Sequence, residues 1–256
     1  MILDLIVFEV GTSVFAINLD SVNRISTIPA ITPLASANKF IEGMISYESR
    51  ILHVLSLRTI VDKEDCATEL LHTFEELIKQ HHNWIKGLEN SVENGAQFNG
   101  ALNAHLCNLG KWIDNFTSYD DDISDILRNL NSHHSRLHNL GADIVELLSE
   151  NKKEAALELF HTEVDSTFHK TMGAMQTLKA EYKTVADSLQ KLLLYKNNED
   201  YFAIKVDKIV DIVHVDASDI AKENEGASDN EYVAFDGVIE LNNTLVNVIR
   251  EITLPK

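Results

Sequence analysis

Cysteine occurs only twice in the 256 residues, at Cys66 and Cys107, and proline only three times. Two thiols are too few for a secreted disulfide framework, which points to a reducing compartment. Cys107 is therefore read as a metal ligand, a reactive thiol or a small apolar core residue. No proline falls between residues 66 and 192, so nothing there forbids long helices. No run approaches the roughly 18 apolar residues of a membrane span. The opening MILDLIVFEV carries Asp4 inside its apolar run and no basic residue ahead of it, unlike a targeting signal. Positive charge is scarce: 22 Lys and Arg face 40 Asp and Glu, for a formal net charge of −18. Such a surface repels phosphate backbones and anionic lipid, which argues against nucleic-acid and membrane roles. A soluble, cytoplasmic protein is expected. The sequence also lacks a GxxxxGK phosphate loop, a GxSxG elbow and an HExxH helix, so no common catalytic signature is present.

What the two ends contain is short apolar and β-branched runs: LIVFEV, SVFAINL, RILHVLSL, DYFAIKV and NTLVNVI, separated by turn-like GTS, YES and NNED. The ends also resemble each other. VFAINLDSVNRI (14–25) aligns without a gap to YFAIKVDKIVDI (201–212), with identity at Phe15/Phe202, Ala16/Ala203, Ile17/Ile204, Asp20/Asp207 and Ile25/Ile212. GMISYESRILHVL (43–55) aligns to GVIELNNTLVNVI (237–249) through Gly43/Gly237, Ile45/Ile239 and Val54/Val248. Each half holds enough strands for a small barrel but too few to be stable alone, so two barrels packed together are expected.

Between the ends the period changes. Phe74, Leu77, Ile78, His81, Trp84 and Leu88, and again Ile123, Leu127, Leu130, His134 and Leu137, recur at helical spacing. Breaks near ENSVENGAQ (89–97), DNFTSYDDD (114–122) and SENKKE (149–154) divide the region into four helices, the second of them short. Ser118 and Asp120 to Asp122 offer the third helix a cap and negative charge at its positive end. Short links predict an antiparallel four-helix bundle, and an even helix count lets such a bundle sit in a loop of another domain. The expected fold is thus α+β and multi-domain: residues 1–62 and 191–256 form one β domain, and residues 63–190 an inserted bundle.

Nine of the eleven histidines lie in that insert, together with Cys107. HSRLH sets His134 and His138 four residues apart on one helix face, where a single ion can bridge them. His81 lies on the apolar stripe of the first helix, and a bound cation plus one hydrogen bond would satisfy both its nitrogens. Cys107 could add a thiolate, for an N₃S set suited to zinc. Taken singly these signals are weak, because a histidine on an apolar stripe is usually a hydrogen-bonded core residue and HxxxH is often two surface residues. Cys107, placed on the short second helix, falls off the stripe through Leu102, Leu106 and Leu109, so periodicity alone does not select it. Gly110 could end or bend that helix and reorient it. Trp84 and Trp112 read as packing anchors, and the remaining histidines of the insert as surface or core residues.

HHNWIKGL, CNLGKW and HSRLHNLGADIVELL, in that order, resemble the motifs HxxW, CxLGxW and HxxxH of the chemoreceptor zinc-binding domain, over most of residues 66–180. The resemblance implies a zinc ion held by His81, Cys107, His134 and His138, as a sensing element for zinc or oxidants. The flanking halves resemble the CheW-like coupling domain of chemotaxis, two small SH3-like β-barrels, most closely in FEVGTSVFAINLDSVNRI and KFIEGMISYESRILHVLSLR. That implies a non-enzymatic adaptor contacting a chemoreceptor or a histidine kinase. The family's Asn-Leu-Arg-Gly turn is replaced by Ser46 to Ser49, so Glu48 stands, with reversed charge, where the family places a partner-contacting arginine. Homodimerisation through the bundle is a further expectation. A passive adaptor with a purely structural zinc is the alternative reading; a phosphotransfer bundle is disfavoured because no histidine has a lysine and then a glycine three and four residues on, and a di-iron bundle because the candidate ligands lack carboxylate–histidine pairs.

Overall fold

The LIVF run in the first strand is apolar without alternation because both faces of that strand are buried. Leu5 and Val7 face one core, while Ile6 and Phe8 face another. The computed structural model describes residues 1–34, 38–117, 120–197, 200–221 and 228–255. It divides into two compact units, Met1–Thr68 with Ala186–Lys256, and Glu69–Val185. Among the described residues, no helix is long and apolar enough to cross a membrane.

Among the described residues the first unit contains ten strands: β1 (Ile2–Val10), β2 (Ser13–Asn18), β3 (Val22–Ser26), β4 (Ile41–Tyr47), β5 (Arg50–Ser56), β6 (Lys191–Asn197), β7 (Asp200–Val206), β8 (Lys208–Asp216), β9 (Val233–Leu241) and β10 (Thr244–Ile252). They form two five-stranded sheets, ordered β8-β1-β2-β10-β9 and β3-β6-β7-β5-β4. In each, one parallel pair, β2 with β10 or β7 with β5, interrupts otherwise antiparallel pairing. The two sheets are therefore copies of one topology, and the α+β class holds.

The expectation of one barrel from each half needs correcting. Each sheet takes two strands from one half of the chain and three from the other, so neither half contains a complete sheet. The internal repeat shows which strands correspond but not whether equivalent strands pair within a half or between halves. The repeat extends to side chains. One sheet buries Leu5, Val7, Ala16, Ile239, Val246 and Val248 in a core of its own, and the other buries their counterparts Leu192, Leu194, Ala203, Ile45, Leu52 and Val54. A larger core lies between the sheets, with Phe8, Phe15, Tyr195 and Phe202 among its members. Gly43 and Gly237 are equivalent too: a Cβ at either would overlap a backbone carbonyl, that of Thr32 or of Ala221, where the chain bridges to Met44 or Val238.

The second unit is helical. It includes most of α2 (Cys66–Asn94), then α3 (Asn108–Asn115), α4 (Asp121–Ser149), α5 (Lys153–Leu159) and α6 (Asp165–Ala180), while a short α1 (Leu57–Ile60) precedes it and α7 (Tyr182–Leu189) leads out. A π-helical turn, Phe160–Val164, joins α5 to α6, so the two run on as one long helix. The pattern of two long helices separated by a short one and followed by another long one is the one the breaks predict. Asp120 caps α4 by accepting the Ile123 N–H at 3.0 Å. The other proposed cap, Ser118, lies outside the described residues.

The repeat is broken where the chain leaves the β unit. Asp207 accepts from the Arg58 guanidinium at 2.8 Å, the Gln190 amide at 2.8 Å and the Gly11 N–H at 2.6 Å. Arg58 in turn donates to the Glu64 carbonyl at 3.0 Å. One carboxylate thus ties together the outgoing chain, the returning chain and the β1–β2 turn. Beside it, Lys205 bridges Glu42 at 2.8 Å and Asp187 of α7 at 2.7 Å. Asp20, the repeat equivalent of Asp207, is exposed. Arg58 is only 8% exposed, so removing the Asp207 carboxylate takes an anionic partner from a buried charge. Asp207→Ala is expected to lower the unfolding free energy by about 3–5 kcal/mol, and Asp20→Ala by less than about 0.5 kcal/mol. Urea denaturation of the two variants tests the difference; equal losses would contradict it.

Candidate metal centre

The buried stripe of α2 runs Leu70, Phe74, Leu77, His81, Ile85, Leu88 and Val92, at steps of three and four. A histidine therefore occupies a position where an apolar side chain would be ordinary. On α4 the buried face includes Leu130, His134, Leu137, His138 and Gly141, so two imidazoles project one turn apart from the same surface.

Cys107 arrives by a different route from the one its sequence suggests. Ala104–Leu106 form a 3-10 turn, and α3 begins only after Cys107, which is extended and serves as the N-cap. Its Sγ accepts the Gly110 N–H at 3.3 Å. The stripe through Leu102, Leu106 and Leu109 is therefore not a helix face, and the cap sets the direction of the thiol. Gly110 neither ends nor bends α3, which runs on to Asn115. Its lack of a side chain instead lets the Ala104 carbonyl lie against the helix, where a Cβ would overlap it.

The ligand atoms of His81, Cys107, His134 and His138 all lie within 4.8 Å of one another. Cys107 Sγ is 3.1 Å from His134 Nε2 and 3.9 Å from His81 Nε2. Tetrahedral zinc with ordinary bond lengths puts nitrogen and sulfur about 3.6 Å apart, and these two distances bracket that value. His81 Nδ1 donates to the Leu77 carbonyl at 2.8 Å, and His138 Nδ1 to the Ala101 carbonyl at 2.9 Å. Each bond fixes the tautomer that turns a bare Nε2 inward, as second-shell carbonyls do around zinc. Among the described residues, His138 Nε2 is buried without a hydrogen-bond partner, and so is His134 Nδ1. An orphaned, inward-facing Nε2 among three other soft donors fits a cation, and the N₃S set suits zinc rather than magnesium or calcium.

Trp84 packs its ring 5.0 Å from that of His138 and donates its indole N–H to the Ala101 carbonyl at 2.8 Å. Gly141 makes room for it, since a Cβ there would lie 2.7 Å from the indole. Trp112 pairs with Phe74 and Phe116. His82 and His105 turn to other partners, the Ile78 carbonyl and Asp114. Sequence reasoning missed the Ala101 carbonyl, which serves both His138 and Trp84; a backbone acceptor leaves no side-chain signature. In the β unit, Glu48 and Ser49 form the exposed β4–β5 turn with φ of 47° and 63°. Their repeat equivalents Asn242 and Asn243 have φ of 50° and 63°, a conformation that suits asparagine far better than glutamate.

These features define a chain with a divided β unit and a helical unit that carries a His₃Cys centre poised for a metal ion. Residues 4–73 match the CheW-like domain family, and residues 81–145, which include all four candidate ligands, match the chemoreceptor zinc-binding domain. The two matches fall on separate regions of the chain, and the second family is described as a zinc-binding domain. Among solved structures it is similar to the scaffolding protein TtCheW from Thermoanaerobacter tengcongensis, at 10% identity and a TM-score of 0.45, covering 98% of this chain and 85% of that one. It is also similar to the regulatory CZB domain of DgcZ, at 20% identity and a TM-score of 0.38, covering 46% of this chain and 98% of that one. No curated protein matches it.

Burial, reinforced by the neighbouring imidazoles, pushes His134 down to about 3 and His138 to about 4, and lowers His81 as well. Burial raises the Cys107 thiol, against the pull of the Gly110 and Leu109 N–H groups. The metal-free centre thus holds neutral imidazoles and a protonated thiol. Unfolded histidines bind protons near pH 6.5, so below that value the unfolded chain holds more protons than the folded one, and stability rises with pH. The histidine contribution is present above 6.5 and is lost as pH falls toward 4 and 3. The melting temperature of metal-free protein is expected to drop steadily from pH 7 to pH 4, and His134→Leu to flatten the curve. A flat wild-type curve would contradict the assignment.

Proposed function

We propose that this chain is a non-enzymatic adaptor of chemotaxis signalling whose helical unit binds one Zn²⁺ through His81, Cys107, His134 and His138. By this reading residues 1–62 and 191–256 form the coupling domain, which contacts a chemoreceptor or a histidine kinase. Residues 63–190 form a sensory insert, through which two copies of the chain dimerise. Glu48, on the exposed β4–β5 turn, is the proposed partner contact. The observation that carries the reading is the convergence of the four donors inside a unit set between the halves of a CheW-like fold.

Four protein donors leave no open position on a tetrahedral ion, which favours structure or sensing over hydrolysis. Bound zinc would hold Cys107 as thiolate, the form that oxidants attack. When the sulfur attacks a peroxide oxygen, the O–O bond breaks, hydroxide leaves, and the cysteine becomes a sulfenic acid, oxidised by two electrons. The centre then keeps three neutral imidazoles and no anionic donor, so it holds a cation less well and the bundle it staples loosens. The β unit is joined to the bundle through α2 and α7, so a change in either helix reaches the surface offered to a partner.

Purified protein is expected to carry about one zinc per chain, and Cys107→Ala to lose most of it; elemental analysis checks both. Affinity for a chemotaxis histidine kinase, measured by calorimetry on zinc-loaded and chelator-stripped protein, is expected to differ by about fivefold or more. Equal affinities would remove the sensing role and leave a passive adaptor with a structural zinc.

A further inference from the structure

A cavity of about 200 Å³ opens onto the metal centre and is lined by Gln80, His81, Trp84, Cys107, Asn108 and His138. Three of the four candidate ligands face it. The fourth, His134, is 0% exposed and does not line it. Two lining residues are neither ligands nor their packing partners. Asn108 is exposed, Gln80 is half-buried, and the Asn108 amide donates to Gln80 Oε1 at 2.9 Å. That bond links α2, one residue before His81, to the first residue of α3, one residue after Cys107.

We propose that this opening is the route by which small molecules reach Cys107, and that the Gln80–Asn108 bridge sets how fast they do so. The inference rests on the zinc-centre reading above and deepens it by naming the regulation of that centre. Cys107 owes its position to its role as the α3 N-cap, so anything that holds the start of α3 against α2 also holds the thiol in place at the cavity. The bridge is a single hydrogen bond between neutral amides at the surface, worth little to the fold but placed across the approach. A net charge of −18 disfavours anions, so the reactants admitted are small and uncharged, of which hydrogen peroxide is the simplest oxidising example. The chemistry is that of the thiolate already described: peroxide oxygen is transferred to sulfur and hydroxide departs.

The test uses full-length, zinc-loaded protein, hydrogen peroxide as the reactant and a chromogenic indicator to follow zinc release. Gln80→Ala and Asn108→Ala are expected to hold the same zinc as wild type at equilibrium but to release it about two- to fivefold faster, the factor corresponding to loss of one exposed hydrogen bond. Asn115→Ala is the control for general loosening of α3. Asn115 bonds the Lys111 carbonyl at 2.7 Å at the far end of that helix, away from the cavity, and this variant is expected to release zinc at the wild-type rate. Unchanged rates in the Gln80 and Asn108 variants, or an equal acceleration in Asn115→Ala, would overturn the inference while leaving the zinc centre intact. Wild-type protein that holds no zinc would overturn the centre itself.

Discussion

Three buried imidazoles and a half-buried thiol converge inside a helical unit, a grouping that a shared cation would satisfy. Two of the three histidines have spent one nitrogen on a backbone carbonyl, which leaves the other bare and facing inward. One of those inward nitrogens, His138 Nε2, finds no hydrogen-bond partner among the described residues. An apolar side chain at any of these positions would pack more easily, so their presence marks a place where stability has been given up for a ligand set. The rest of the helical unit follows from that constraint. Gly141 is small so that Trp84 can close one side, and Gly110 is small so that α3 can begin where Cys107 must point.

The β unit meets a different constraint, that of remaining one folded body while its chain is interrupted for over a hundred residues. Interleaving the halves is one answer. Because each sheet needs strands from both sides of the insert, neither half can leave without breaking both sheets. The second answer is local. The Asp207 carboxylate gathers the outgoing and returning chain onto the end of β7, with Lys205 performing a similar task beside it. The internal repeat has an aspartate at the equivalent place, Asp20, and there it is exposed. The same residue type thus acquires this role in the copy whose neighbours are the segments by which the chain leaves and returns.

Much of this was legible in the sequence. The gapless alignment of the two ends anticipated equivalent strands, and the change from strand-like to helical periodicity anticipated the insert, because both patterns follow from which side chains are buried. The same logic put His81, His134 and His138 on buried helix faces. Two features were illegible for physical reasons. Interleaving depends on pairing between distant strands, and equivalent strands carry nearly the same pattern whichever partner they take. The position of Cys107 depends on a cap, and cap geometry overrides helical period at the first residue, so an angular reading of CNLGKW fails although the motif itself succeeds. The Ala101 carbonyl lies beyond sequence reasoning altogether, since any residue there could supply it.

The account stands or falls on whether sulfur and imidazole nitrogen share one ion. X-ray absorption at the zinc edge reads this directly on protein in solution. The account predicts a four-coordinate shell with three nitrogen scatterers at about 2.0–2.1 Å and one sulfur at about 2.3 Å. A shell with no sulfur, or one dominated by oxygen at six-coordinate distances, would show that the four side chains do not form one centre.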